Sequence, residues 1–363
     1  MIDRRLFTHF DWAILSVIIG LICIGFVSIY SATHAQMPAI YMKDIYWIII
    51  GSVMMLAAIV LSYSYLERFA YVIYGSSLLL LISVFFIGSS FSGAKRWISL
   101  GFFTLQPSEF AKLALIIMLA RFFNEKLISD KGLGLKDLIV PAVIMIVPFL
   151  LIAKQPDLGT GIILWMIFWS MAFIVKIRTK VIAGLAAFFA ALAPFGWMFL
   201  KDSQKARITS FMSPESDPLG SGYHVMQSKI AIGSGGFLGK GFMEGTQGKL
   251  MFLPEHHTDF IFAALAEEWG FIGATVVLGL FLALIISGIN TASSSKDRFG
   301  FLVAFGITSM FFWLIFINLG MVAGILPVVG VPLPFISYGG SFLITSMIAA
   351  GILLNINMRR FIF

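Results

Sequence analysis

The 363-residue chain has little charge and almost no cysteine: charged residues make up 12% of it and Cys23 is its one thiol. One thiol excludes a disulfide framework and any cysteine-based metal site. So little charge cannot clothe the surface of a soluble domain of this length. Nucleotide and metal signatures are missing too. In GSGGFLGKGFMEGTQG (233–248), Ser234 and Gly241 occupy positions around Lys240 where a phosphate-binding loop needs Gly and then Ser or Thr. The glycines suit left-handed turns and close backbone approach instead. His256 and His257 lack helical zinc-site spacing, since adjacent residues on a helix point about 100° apart. What fills the chain is apolar: 59% hydrophobic, 37 phenylalanines, and a mean hydropathy of +0.97. Long apolar runs recur from end to end, the mark of a polytopic membrane protein.

A spanning helix needs about 20 mainly apolar residues. Ten segments qualify, at about 11–33, 44–63, 69–89, 107–123, 137–153, 159–176, 181–199, 258–289, 299–325 and 335–357. The first lacks a cleavage site and reads as a retained helix. The eighth and ninth are long enough to tilt or to include an interfacial turn. The expected fold is all-α, with a large extracytoplasmic loop at about 201–257, between helices 7 and 8, in a single membrane domain over 1–363. With an inside N-terminus, the inside segments carry fourteen Lys and Arg, and the short outside loops carry four: Lys43, Lys95, Arg96 and Lys154. That bias predicts both termini in the cytoplasm. It also explains the net charge of +7 without nucleic acid. Within the long loop, Tyr223, Val225, Met226, Ile230 and Ile232 suit one apolar face of a short helix lying on the membrane.

Charge in such a chain is costly, and where it gathers it marks function. FLPEHHTDFIFAALAEEWG (252–270) holds Glu255, Asp259, Glu267 and Glu268 with two histidines. Asp259 follows Pro254 and Thr258 where the eighth helix begins. Two readings stand: an N-cap or first-turn acid favoured by the helix dipole, or a catalytic carboxylate. Glu267 and Glu268, two turns deeper, call for a buried cation or a wet cavity. Glu255, His256 and His257 read as a polar rim. Glu109 and Lys112 are i, i+3 on the fourth helix and can pair, as a structural salt bridge or as a substrate contact. KQPDLGTG (154–161) puts Asp157 at an outer helix turn. LPVVGVPLPFISYGGS (326–341), with three prolines, three glycines, Ser337 and Tyr338, cannot be a straight helix. Irregular backbone at this depth lines a cavity or is buried in protein. All these segments fall on the outer side, which predicts a polar cavity opening outward.

RWISLG (96–101), QPSEFAKLA (106–114), KQPDLGTG, QSKIAIGSGGFLGKG (227–241), GTQ (245–247), LPEHHTDFIFAALAEEWG (253–270) and NLGMVAGILPVVGVPLPFISYGGS (318–341) resemble the SEDS family of shape, elongation, division and sporulation proteins over essentially the whole length. GVPLPF and the short N-terminus are more similar to its elongation branch. His256, His224 and Phe342 depart from the common pattern. The resemblance implies a peptidoglycan glycosyltransferase of the bacterial inner membrane. It would polymerise lipid II into a growing glycan strand beside a class B penicillin-binding protein of the elongation machinery. It also implies that Asp259 is the essential acid and that Glu109 and Lys112 are the family's paired residues. Inverting transfer to a β-1,4 linkage needs a base for the acceptor hydroxyl and cations for the diphosphate. Asp259 is the base candidate. Arg96, Lys112, Lys229 and Lys240 are the cation candidates, with a divalent ion such as Mg²⁺ as a possible helper. Asp157, Ser337 and Tyr338 are supporting candidates. A lipid II flippase and a noncatalytic scaffold for the penicillin-binding protein are the alternatives. Gly320 and Gly324 offer small surfaces for a partner helix.

Overall fold

The computed structural model describes residues 10–34, 37–91, 94–99, 101, 104–126, 132–199, 205, 209, 211, 221–246 and 257–360. Helices α1 (Trp12–Thr33), α2 (Pro38–Val60), α3 (Ser64–Arg68) and α4 (Ala70–Ile87) lead to three short strands: β1 (Ser89–Phe91), β2 (Ala94–Ser99) and β3 (Thr104–Leu105). Then come α5 (Pro107–Glu125), α6 (Leu135–Lys154), α7 (Leu158–Ile174), α8 (Thr179–Phe199) and α9 (Ser221–Gly235). Helices α10 (Ile261–Ser293), α11 (Arg298–Val322) and α12 (Gly340–Arg359) complete the described chain.

Among the described residues seven helices, α1, α2, α4, α6, α10, α11 and α12, are long and apolar enough to cross a membrane. The protein is therefore a multi-pass membrane protein. The expected segments 107–123, 159–176 and 181–199 are also helical, as α5, α7 and α8. Helix α5 falls short on composition, because Glu109, Lys112, Arg121 and Glu125 interrupt its apolar run, and α7 has 17 residues. Two helix edges differ from expectation by five residues or more. Pro38 starts α2 six residues early, at a position where a missing N–H costs nothing. Residues 335–339 are irregular, so α12 starts only at Gly340.

The antiparallel sheet, in the order β1-β2-β3, departs from the all-α expectation. It forms where Gly88 ends α4 in extended backbone. Strand β2 then pairs Trp97 with Ser89 and Ile98 with Leu105.

Burial sorts the helices. The apolar windows of α12 and α11 are 89% and 72% buried, and those of the other five spans only 22–33%. With α5, whose residues Ala111 to Ala120 are all buried, they form the centre. The periphery exposes Ile49, Val53, Leu79, Phe86 and Leu282. Such a surface would be untenable in water, but it costs nothing against lipid tails as apolar as leucine.

Polar groups collect at the two ends. At one end Asp11 caps α1, accepting from Ala13 and Ile14 N–H at 3.1 Å. Asn357 donates to Asp11 and Thr291 at 3.2 and 3.0 Å, and Arg360 donates to Ser294 at 3.0 Å. The Tyr63 hydroxyl donates to Asp297, which caps α11 through Gly300 N–H at 2.6 Å. Lys126 pairs with Asp137 at 2.8 Å. The segments rich in Lys and Arg thus meet one another at this end.

Candidate active site

The turn carrying Asp259 is stitched to the irregular strap 326–339. Asn318 of α11 donates from Nδ2 to the Asp259 carbonyl at 2.9 Å and to the Val331 carbonyl at 2.7 Å. Ser337 Oγ donates to the Thr258 carbonyl and accepts from Leu333 N–H, both at 2.7 Å. Tyr338 N–H donates to the His257 carbonyl at 3.0 Å. These bonds satisfy backbone groups of the turn and strap that lie outside any helix. The N-cap of α10 is Phe260, so Asp259 lies one residue before it and is not the cap. Its carboxylate is half-buried and faces the strap, and a Cβ built on Gly330 would lie 3.4 Å from Oδ2. Gly330 has φ +71°, a conformation that side chains disfavour, so backbone and carboxylate approach closely there.

Gly330 also lines a small pocket with Glu109, Lys112, Thr160, Ile163, Leu314, Val331 and Pro332. In it Lys112 Nζ meets Glu109 Oε2 at 2.6 Å, both side chains almost fully buried, and sits 5.1 Å from the Phe342 ring centroid. Thr160 joins the pocket to Asp157, donating from Oγ1 to Oδ2 at 2.9 Å. Asp157 caps α7 through Thr160 N–H at 3.3 Å and accepts from Gln106 Nε2 and Ser108 Oγ at 3.2 and 3.3 Å. Arg96 of β2 clamps the turn before it, donating to the carbonyls of Gln155 and Pro156 at 3.2 and 2.5 Å, with Nη1 3.9 Å from Asp157. Asp259, Glu109, Lys112, Asp157, Arg96, Ser337 and Tyr338 therefore belong to one connected neighbourhood.

Lys240 and Lys229 lie in other surroundings. Lys240 Nζ donates to Glu267 Oε1 at 2.6 Å, and Thr246 donates to the same oxygen through N–H at 2.9 Å and Oγ1 at 2.8 Å. Glu267 is fully buried, and Lys240 is the cation that its position called for. Glu268 accepts from Ser31 Oγ at 2.6 Å. The glycine-dense stretch docks on a break in α10, where Gly270 has φ 66° and ψ −160°. Phe271 N–H donates to Gly236, and Lys240 and Gly241 N–H donate to Glu267 and Glu268, at 2.9 to 3.0 Å. Gly235, Gly239 and Gly270 would each drive a Cβ into facing backbone, so close approach explains them.

Lys229 is exposed, with its chain over Gly324. Gly324 and Gly320 thus face Lys229 and Leu326 of this chain; they serve internal packing and not a partner helix. Helix α9 forms, but its apolar residues divide. Val225, Ser228 and Ala231 pack inward, with Ser228 Oγ donating to the Val322 carbonyl at 2.5 Å, while Met226 and Ile230 are exposed. Glu255 and His256, expected at the cavity rim, lie outside the described residues.

Sequence reasoning missed Asn318 and Asp44. Asn318 sat inside a quoted motif without a role, and only its partners reveal one. Asp44 is buried on α2 beside Tyr338. Its signal was a carboxylate in an apolar run.

The chain is similar to known proteins over nearly its whole length. A model of the FtsW/RodA/SpoVE family, described as cell cycle protein, matches residues 7–361. The chain is 41% identical to peptidoglycan glycosyltransferase MrdB of Escherichia coli K12, over 97% of its own length and 94% of the relative's. It is 34% identical to peptidoglycan glycosyltransferase RodA of Treponema pallidum, over 97% and 98%. Among solved structures it resembles a chain from work on the structural coordination of polymerization and crosslinking by a peptidoglycan synthase complex. There the TM-score is 0.86 and the identity 29%, covering 98% of this chain and 99% of that one. Rod shape determining protein RodA of Thermus thermophilus matches with a TM-score of 0.72 at 28% identity, over 97% and 98%.

Proposed function

The chain belongs to the FtsW/RodA/SpoVE family and is a peptidoglycan glycosyltransferase, and we propose that it polymerises lipid II by an inverting transfer in which Asp259 is the general base. The observation that carries this is the Asp259 carboxylate beside Gly330, at the edge of the pocket holding Glu109 and Lys112. In this reading the pocket edge receives the acceptor hydroxyl, and Asp259 removes its proton as the sugar oxygen attacks the anomeric carbon. The diphosphate leaves as an anion, so no second carboxylic acid is required. Lys112, held by Glu109, supplies positive charge to the reacting region. Asp157 and Arg96 keep the floor of the site rigid through the 155–160 turn.

The wider reading is a single membrane domain of ten spanning helices in the bacterial inner membrane. Both termini lie in the cytoplasm, and a large extracytoplasmic loop separates the seventh and eighth spans. The work describing polymerization and crosslinking in one synthase complex supports a class B penicillin-binding protein as partner, within the elongation machinery. A divalent cation such as Mg²⁺ would be carried chiefly by the diphosphate. Among the described residues no three His, Cys, Asp or Glu side chains gather into a metal site.

The test is polymerisation of lipid II by purified Asp259→Asn protein. The substitution keeps the size and removes the basic oxygen. A lost general base typically costs about 10²–10⁴-fold in rate. A rate within a few-fold of wild type would refute the assignment of the base.

A further inference from the structure

Asn318 is fully buried near the end of α11, and both acceptors of its Nδ2 are backbone carbonyls, those of Asp259 and Val331. Two carbonyls can be bridged only by the amide nitrogen, which fixes the orientation of the side chain. Among the described residues its buried Oδ1 has no hydrogen-bond partner. A buried acceptor left unpaired is unfavourable, and an apolar side chain of similar size would avoid it. The amide is therefore kept for its two donors. Those donors join the turn that carries Asp259 to the strap that carries Gly330, the residue next to Val331. Gly330 in turn borders both Asp259 Oδ2 and the Glu109–Lys112 pocket. Ser337 ties the same two segments one residue earlier, at Thr258. Of these ties, Asn318 is the one that acts at Asp259 itself and is anchored in a regular, central helix.

We infer that Asn318 is a positioning residue for the transfer reaction, setting the Asp259 carboxylate against the pocket by clamping the Asp259 turn and the Gly330–Val331 strap to α11. This rests on the reading of Asp259 as the base. Misplacing a catalytic group by about 1 Å can cost on the order of 100-fold in rate without altering substrate binding. A residue that merely stabilised the fold would lower the yield of folded protein and leave the turnover of what does fold unchanged.

The experiment measures kcat and KM for lipid II with purified Asn318→Ala, Asn318→Asp and Asp259→Asn proteins, each normalised to folded protein. Asn318→Asp keeps the shape and removes the paired donors, so it remains informative if the alanine variant fails to fold. The expected result is a fall in kcat on the order of 10–100-fold for the Asn318 variants, with KM within about three-fold of wild type. Asn318 variants at wild-type kcat, beside an inactive Asp259→Asn, would overturn the positioning role and leave the base in place. A loss carried by KM would overturn it too. Inactive Asn318 variants beside an active Asp259→Asn would overturn both.

Discussion

Replacing one member of the Glu109–Lys112 pair should harm the protein more than replacing both. The two charges lie 2.6 Å apart with side chains 4% and 2% exposed, so water screens them little. At an effective dielectric near 20 their attraction is ~6 kcal/mol before desolvation is counted. Breaking a buried pair from one side costs about 3–5 kcal/mol, because the remaining charge stays buried and unpaired. In Glu109→Leu, Lys112 keeps its contact with the Phe342 ring, which offsets roughly 1–2 kcal/mol. Lys112→Met leaves the carboxylate without that help and should be the worse of the two. The double variant Glu109→Leu/Lys112→Met removes both desolvation penalties and should lie within about 2 kcal/mol of wild type. The assay is thermal unfolding of the purified proteins in detergent, with a double-mutant cycle. Each single change should lower the midpoint by on the order of 5–10 °C, and the double by much less. Additive losses would refute the pair as a unit. The double variant should still fail to polymerise lipid II, because the pocket loses its ammonium group.

Two further outcomes are expected. A cysteine introduced at Ser294, whose neighbour Arg360 lies in the Lys- and Arg-rich end, should be labelled only in permeabilised cells, and one at Ser216 in intact cells; labelling of Ser294 from outside would invert the topology. Burial first and Asp297 second raise the Tyr63 hydroxyl above its ordinary range, so its contribution to stability is complete below about pH 10 and is lost as pH rises beyond that. Tyr63→Phe should flatten this alkaline loss of stability in a melting series, and an unchanged slope would refute the linkage.

What the sequence made legible was local. Apolar runs marked the helical segments, and i, i+3 spacing put Glu109 against Lys112. Three prolines and three glycines ruled out a straight helix over 326–341. The position of Glu267 called for a cation, and Lys240 provides it, although only the folded chain brings the two together. What stayed hidden depends on contacts distant in sequence. Asn318 looks like any polar residue in an apolar helix until Asp259 and Val331 are seen on its amide. Gly320 and Gly324 looked like surface for another helix because nothing local shows Leu326 and Lys229 filling it. The apolar residues of α9 were assigned one face, but α9 packs on its own protein as well as facing outward, so Val225 and Ile230 part company. The short sheet escaped notice because strands of two to six residues have too few positions for alternation to register.

The remaining chemical problem is the charge of the leaving diphosphate. Three of the four candidate cations already have carboxylate neighbours: Lys112 with Glu109 and Lys240 with Glu267 at 2.6 Å, and Arg96 with Asp157 at 3.9 Å. Arg96 also directs two donors at backbone carbonyls, which it cannot abandon without freeing the turn that positions Asp157. A diphosphate arriving at the pocket meets Lys112 and Arg96 already partly neutralised by their carboxylates, and drawing Lys112 away would strand the buried Glu109. Lys229 alone of the four makes no ion pair among the described residues, and it is exposed. Two sources of further charge follow: a divalent ion that enters with the diphosphate, or Lys229, which stands outside the pocket neighbourhood over Gly324. Polymerisation by metal-stripped protein separates them. Activity lost to a chelator and restored by Mg²⁺, with Lys229→Met near wild type, is the expected result, because one divalent ion neutralises the diphosphate without breaking any pair. Full activity in chelator, abolished by Lys229→Met, would refute it and transfer the work to that lysine.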